Sequence, residues 1–341
     1  VPVFATVLAL LIGCFFLLAT GESFANIFVA YSSLFIGSLG SLNAISETFT
    51  AATPLVFAAL GIALAFRAGL FNIGAEGQMI IGGLATVIVG FSIDFLPIWI
   101  HLPLALSIGA LFGALYAAIA GWLKAYTGAH EVISTIMLNL IALRLLDYVL
   151  RSPIIQKEGR NDPISKSILD SAELPQILAF IDPQLRLHGG FLLMLVAVFF
   201  IYWLLFHTTI GYEFRATGAN PNAAKYAGIK AGLTIVLVMA IAGALAGLAG
   251  ANQITGILGR ASPGFSASIG FDAIAVALLG RSHPIGVLFA GLLFGALIAG
   301  GRLMQVKAGV SVDLITIIQA LIIVFIAAPL LIKKSLPWFF K

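Results

Sequence analysis

Residues 206–229 read FHTTIGYEFRATGANPNAAKYAGI. The stretch is polar and basic, and long apolar runs flank it on both sides. In so apolar a chain it belongs in water at a membrane surface, where a soluble partner can touch it. Asn220 is a good N-cap and Pro221 suits the first helical position. Residues 223–227 can continue the helix, and Gly228 can end it in the left-handed conformation. The pattern predicts a helix of about two turns between two spans. The cations Arg215 and Lys225 and the small residues beside them suit docking.

The surroundings support that reading. The chain has 341 residues, 61% hydrophobic and 9% charged. A soluble domain carries about 25% charged residues, so this is an integral membrane protein. Its apolar residues come in long runs, which means helices and not a barrel. The 36 glycines suit close helix packing in lipid. The net charge is +4. The cations sit at the ends of apolar runs, which points to membrane topology and lipid headgroups and not to nucleic acid. The single cysteine, Cys14, allows no internal disulfide. Residues 11–14, LIGC, look like a lipoprotein cleavage box, but FFLL follows, so the run reads as a spanning helix. The chain begins at Val1 and not Met, so a short leader is expected before it.

A span needs about 20 apolar residues. About ten are expected in one transmembrane domain, near 3–19, 49–66, 76–91, 102–123, 132–150, 190–206, 233–251, 264–280, 285–299 and 312–332. Residues 24–35 are amphipathic enough to lie at an interface. Residues 151–189 form one long hydrophilic loop with five basic residues, five acidic residues and four prolines, a solvated loop or small cap. The short links carry most of their Lys and Arg on the side of residues 207–230. That side is therefore the cytoplasm, with both termini there and the 151–189 loop outside.

Two stretches interrupt the apolar pattern, 69–78 and 254–272, each rich in Gly and polar residues. They occupy corresponding places in the sets of spans two to five and seven to ten. An odd number of crossings separates the sets, so these would be inverted repeats with paired broken helices, as transporters use. Unwound backbone at membrane depth survives only where protein or a wet cavity satisfies it. Glu76 is an ionisable residue there, either functional or satisfied by the backbone around Gly74 and Gly77. Asn72 and Gln78 are candidate hydrogen-bonding groups for a polar solute. Asp272, with Phe265 and Phe271, is the matching group in the second half. Phe71 also lies in the first break, and phenylalanine rings there can stack on a base or sugar. Arg144 and Asp147, spaced i,i+3, are expected to pair. His130-Glu131 opens the fifth span as a cap or a second cytoplasmic contact.

Residues 215–228, then 242–250 (AGALAGLAG), then 270–280 (GFDAIAVALLG), resemble in order the permease subunits of ABC importers for ribose, branched-chain amino acids and nucleosides. Residues 66–83, FRAGLFNIGAEGQMIIGG, look like the nucleoside and simple-sugar branch. The resemblance runs from the second span to the last. It implies that the 207–230 loop holds a coupling helix, with Arg215, Gly218, Asn220, Pro221, Asn222, Ala223, Lys225, Tyr226 and Gly228 against an ATPase subunit. It implies a second permease, identical or homologous, an external binding protein that delivers a small polar solute, and a bacterial cell membrane. A nucleoside is the expected solute, with a simple sugar or branched-chain amino acid as alternatives. There is no GxxxxGK[ST] phosphate loop, no metal spacing among the His residues and no nucleophile–base pair. No catalytic residue, metal or cofactor is expected in this chain; ATP and Mg would be bound by the ATPase. An ion-coupled secondary transporter would want several deep carboxylates, and the chain offers few.

Overall fold

The computed structural model describes residues 2–311 and 313–327. Residues 328–332 of the last expected span, and the cations Lys333, Lys334 and Lys341, lie outside the described residues. Among those described, no strand forms, and the regular elements are helices. They are α1 (Pro2–Ala19), α2 (Phe24–Leu39), α3 (Leu42–Arg67), α4 (Ala75–Ser92), α5 (Ile98–Trp122), α6 (Glu131–Leu150), α7 (Gly190–His207), α8 (Thr209–Ala219), α9 (Pro221–Tyr226), α10 (Ala231–Gln253), α11 (Ile269–Leu279), α12 (Pro284–Ala308) and α13 (Asp313–Ala327). Two π-helical turns, Leu123–Thr127 and Ile254–Leu258, extend α5 and α10. Among the described residues, seven helices are long and apolar enough to cross a membrane: α3, α4, α5, α6, α7, α10 and α12. The protein is a multi-pass membrane protein.

α3 is the central helix. Every residue from Leu55 to Ala65 is buried, as befits a helix apolar on all sides. It packs on α12, α10, α11 and α7, while α10 packs on α5, α4 and α3. Small residues set these distances. A Cβ on Gly247 of α10 would stand 2.3 Å from the Gly109 carbonyl of α5, and one on Gly61 of α3 would stand 2.5 Å from the Ala242 carbonyl of α10. Backbones meet directly there, which gives the dispersion contact that lipid tails cannot outcompete.

The 151–189 loop is seated on the α10–α11 break. The Ile168 N–H donates to Gly259 O, Ser165 N–H to Ala261 O and Leu174 N–H to Thr255 O, each at 2.9 Å. It also reaches α4 through Leu169 N–H to Gly90 O, and α3 through Leu187 N–H to the Ser46 hydroxyl. The loop is thus a cap that satisfies carbonyls the broken helix leaves open.

α2 packs along α12, with Gly37 against Leu303 and Gly300 against Leu34. Two local expectations change. The 264–280 helix begins only at Ile269, because residues 259–268 are non-helical. Asp147 pairs with Arg151, one turn on at 3.2 Å, and not with Arg144.

Candidate functional site

The two breaks meet in the core. α3 ends at Arg67 and α4 begins at Ala75, leaving residues 68–74 outside either helix. Asn72 closes this segment. Its side-chain oxygen accepts from Gly74 N–H at 2.9 Å, and its carboxamide pairs with that of Gln78 at 3.1 and 3.2 Å. Asn139 of α6 accepts from Gly77 N–H at 2.8 Å and donates to Ile73 O at 2.9 Å. These carboxamides replace the backbone partners that a continuous helix would have supplied.

Glu76 ties this break to the other one. Its Oε1 accepts the Ser266 hydroxyl at 2.5 Å and its Oε2 accepts Gly270 N–H at 2.8 Å. α11 needs that partner. Its N-cap, Ser268, is left-handed and makes no side-chain cap bond; the N–H groups of Ile269 and Phe271 reach Ser266 O and Ser268 O, and Gly270 N–H is the one that takes Glu76 as its acceptor. A carboxylate there also complements the positive end of the helix. Only glycine fits at 270, because a Cβ would lie 2.3 Å from Glu76 N. The Ala267-Ser268 turn, at φ 48° and 61°, is a strained conformation for residues with a side chain.

Of the seven pathway candidates, Asn72, Glu76 and Gln78 are therefore buried and bonded within the fold. Phe265 is buried against Gly83. Phe71, tilted on Phe66 at 5.0 Å, and Phe271 are exposed. Asp272 faces a cavity of about 480 Å³ walled by α3, α10, α11, α12 and α13. Glu47 of α3 also lines it, with its carboxylate 3.6 Å from Arg186 of the loop and 3.3 Å from Arg302 of α12. Gln253 and Gln319 line it too. Gln253 Oε1 and Gln319 Nε2 are buried without a hydrogen-bond partner in the protein.

At the far end of α3 lies the 207–230 segment. Thr208 caps α8 by accepting Gly211 N–H at 3.0 Å. Asn220 caps α9 by accepting from Asn222 N–H and Ala223 N–H at 3.0 and 3.1 Å, Pro221 starts the helix, and Gly228 follows at φ 83°. Buried Phe214 and Thr217 seat α8. Gly218 rests on the end of α3, where a Cβ would stand 2.4 Å from Arg67 O. Arg215 and Arg67 both lie over the Phe206 ring, at 5.5 and 5.8 Å. Phe206 stacks on His283 at 5.3 Å, and Arg67 Nε donates to Ser282 O. Burial, and the charge of Arg67, hold the His283 imidazole below its ordinary pKa. Gly218 and Arg215 are thus engaged by their own chain, whereas α9 is exposed except at Ala224, with Tyr226 95% exposed.

The profile of a family described as the permease component of branched-chain amino acid transport systems matches residues 44–327. The chain belongs to this permease family. The permease is 39% identical to a guanosine ABC transporter permease of Bacillus subtilis, over 98% of this chain and 94% of the relative. It is 37% identical to a nucleoside ABC transporter permease of Lactococcus lactis, over 99% and 93%. It is 35% identical to a glucose ABC transporter permease of Haloferax volcanii, over 98% and 88%. No solved structure gives a significant match.

In the permease, the cavity residues Glu47, Gln253, Arg302 and Gln319 escape a reading of hydropathy. Glu47 precedes the apolar run at 49, but α3 starts at Leu42 and carries it inside the helix. The sequence signal for Gln253 is the Asn252-Gln253 pair of carboxamides directly after the small-residue run of α10. Helices α8 and α9 together, not α9 alone, fill the polar segment between α7 and α10 of the permease.

Proposed function

We propose that the permease is the membrane half of an ATP-driven importer and that its solute is a nucleoside. The observation that carries this is 39% identity to a guanosine permease across nearly the whole of both chains. The second reading, a simple sugar such as glucose, has the support of a full-length relative only slightly less similar. Uptake of labelled guanosine and of labelled glucose by the reassembled importer separates them. Guanosine uptake that depends on ATP is the expected result; uptake of glucose alone selects the second reading.

The proposed architecture has ten crossings in one domain, spanning 1–341, in two inverted halves. α3, its break and α4 correspond to α10, its break and α11. In support, α3 packs on α12 and α11 just as α10 packs on α5 and α4. α3 has its last turn, and α10 its first, on the α8–α9 side. α11, at 11 residues, is about 16 Å long, so it crosses only together with the non-helical 259–268 segment. Both termini are cytoplasmic, the membrane is a bacterial cell membrane, and the 151–189 cap faces outward towards a binding protein.

α9 is the coupling helix. Asn222, Lys225 and Tyr226 offer an exposed charged and aromatic surface to an ATPase subunit, which binds ATP and Mg. The second permease, identical or homologous, completes the pathway. Nucleotide-driven closure of the ATPases moves α9, and α8 passes that movement to the ends of α3 and α12 through Gly218, Arg215 and Phe206. The two access states differ in these contacts, and ligands shift their populations by differential affinity.

A further inference from the structure

We infer that the cavity between α3, α11 and α13 is a subsite for a vicinal diol, with Asp272 as its acceptor and Gln253 and Gln319 holding the remainder of the solute. The inference rests on the nucleoside reading and names the part of the solute that this chain recognises.

The charges in the cavity decide its chemistry. Four ionisable groups line it, two carboxylates and two guanidinium groups. Glu47 is spent on both Arg186 and Arg302. With Asp272 the two carboxylates balance the two guanidinium groups, so the cavity as a whole has no net charge with which to select an ionised solute. Asp272 makes no hydrogen bond or ion pair among the described residues, and it faces the cavity from the first turn of α11. A carboxylate only accepts, and its two oxygens match two adjacent hydroxyl donors. The solute that suits this set is neutral and bears neighbouring hydroxyls.

The second observation is independent of Asp272. Gln319 is 6% exposed, lines the same cavity, and its Nε2 has no partner; Gln253 Oε1 likewise has none. A buried polar atom left unpaired is costly, so a bound solute that supplies an acceptor and a donor there returns what the fold lacks. The cavity, about 480 Å³, lies in the range that encloses a small ligand.

The test uses the complete importer in liposomes, with the binding protein saturated by guanosine or by 2′-deoxyguanosine, so that the rate reports passage and not capture. Loss of one hydroxyl should slow the wild type about tenfold, the worth of one hydrogen bond. Asp272→Asn should bring the two rates within about twofold of each other by slowing guanosine. Gln319→Ala should slow both solutes and keep their ratio. Equal wild-type rates for the two solutes, or an unchanged ratio in Asp272→Asn, would overturn the inference. A wild-type importer that moves no guanosine would end the nucleoside reading and this inference with it, a result distinct from an altered ratio.

Discussion

Glu76 and Ser266 stand 190 residues apart in the chain and share a 2.5 Å hydrogen bond in its core. One residue belongs to the first break and the other to the second, so a side chain of the first interruption satisfies polar groups of the second. A side chain in the first half caps a helix in the second. The two breaks are joined into one hydrogen-bonded structure.

Removing that cap should be expensive. Glu76→Ala leaves the Ser266 hydroxyl and Gly270 N–H without a partner, and should destabilise the protein by about 3 kcal/mol. Ser266→Ala should cost about 1 kcal/mol. The double variant should fall short of the sum by about 1 kcal/mol, because the two residues act through one bond. Thermal unfolding in detergent reads all three, and strict additivity would show that the two residues do not interact.

Backbone contact at the junction predicts a contrast between two glycines. Gly270→Ala puts a methyl group 2.3 Å from Glu76 N and should cost about 3 kcal/mol through overpacking. Gly228→Ala meets nothing within 4 Å, but sits at φ 83°, so only the left-handed strain of about 1 kcal/mol remains. Melting temperatures that fell in the reverse order would contradict the packing at 270.

Much of this was legible in the sequence, and what was not depends on distance along the chain. The α9 cap could be read because Asn220, Pro221 and Gly228 act within one turn. The break at 69–78 could be read because Gly and Asn interrupt an apolar run. The role of Glu76 could not, since its partners are Ser266 and Gly270. α8 was hidden by weak helix formers such as Gly211 and Gly218, and forms because Thr208 caps it and Phe214 is buried. Arg144 and Arg151 were both within helical reach of Asp147. The i,i+4 partner with the acid N-terminal won, the better orientation of the two kinds of pair.

The exposed face of α9 predicts where partner contact can be broken without unfolding. Lys225→Glu and Tyr226→Ala touch no packed neighbour, and their melting temperatures should stay at the wild-type value. Both should lose co-purification of the ATPase and ATP-driven uptake. Gly218→Asp is a poor test of docking, since its side chain would collide with Arg67 O and should lower the melting temperature first. Lys225→Glu with unaltered ATPase association would remove α9 from the interface.

His188 predicts how stability depends on pH. The ring is fully buried in the cap beside α7, with both nitrogens unpartnered in the protein. Burial, and then the charge of Arg186, push its pKa down from 6.5 to about 4. The folded protein therefore resists a proton that the unfolded chain accepts. The neutral ring's contribution is fully present above pH 6.5 and is lost as pH falls from there towards 4. In full it amounts to about 3 kcal/mol. The wild type should lose melting temperature between pH 7 and pH 5 relative to His188→Gln, which has nothing to titrate at this position. The variant should be less stable at pH 7, where the packed ring is missing from between Gly190 and Gly256, and the gap between the two proteins should narrow as the pH is lowered. Parallel melting curves across that range would mean that the imidazole takes up its proton in the folded cap as readily as in water.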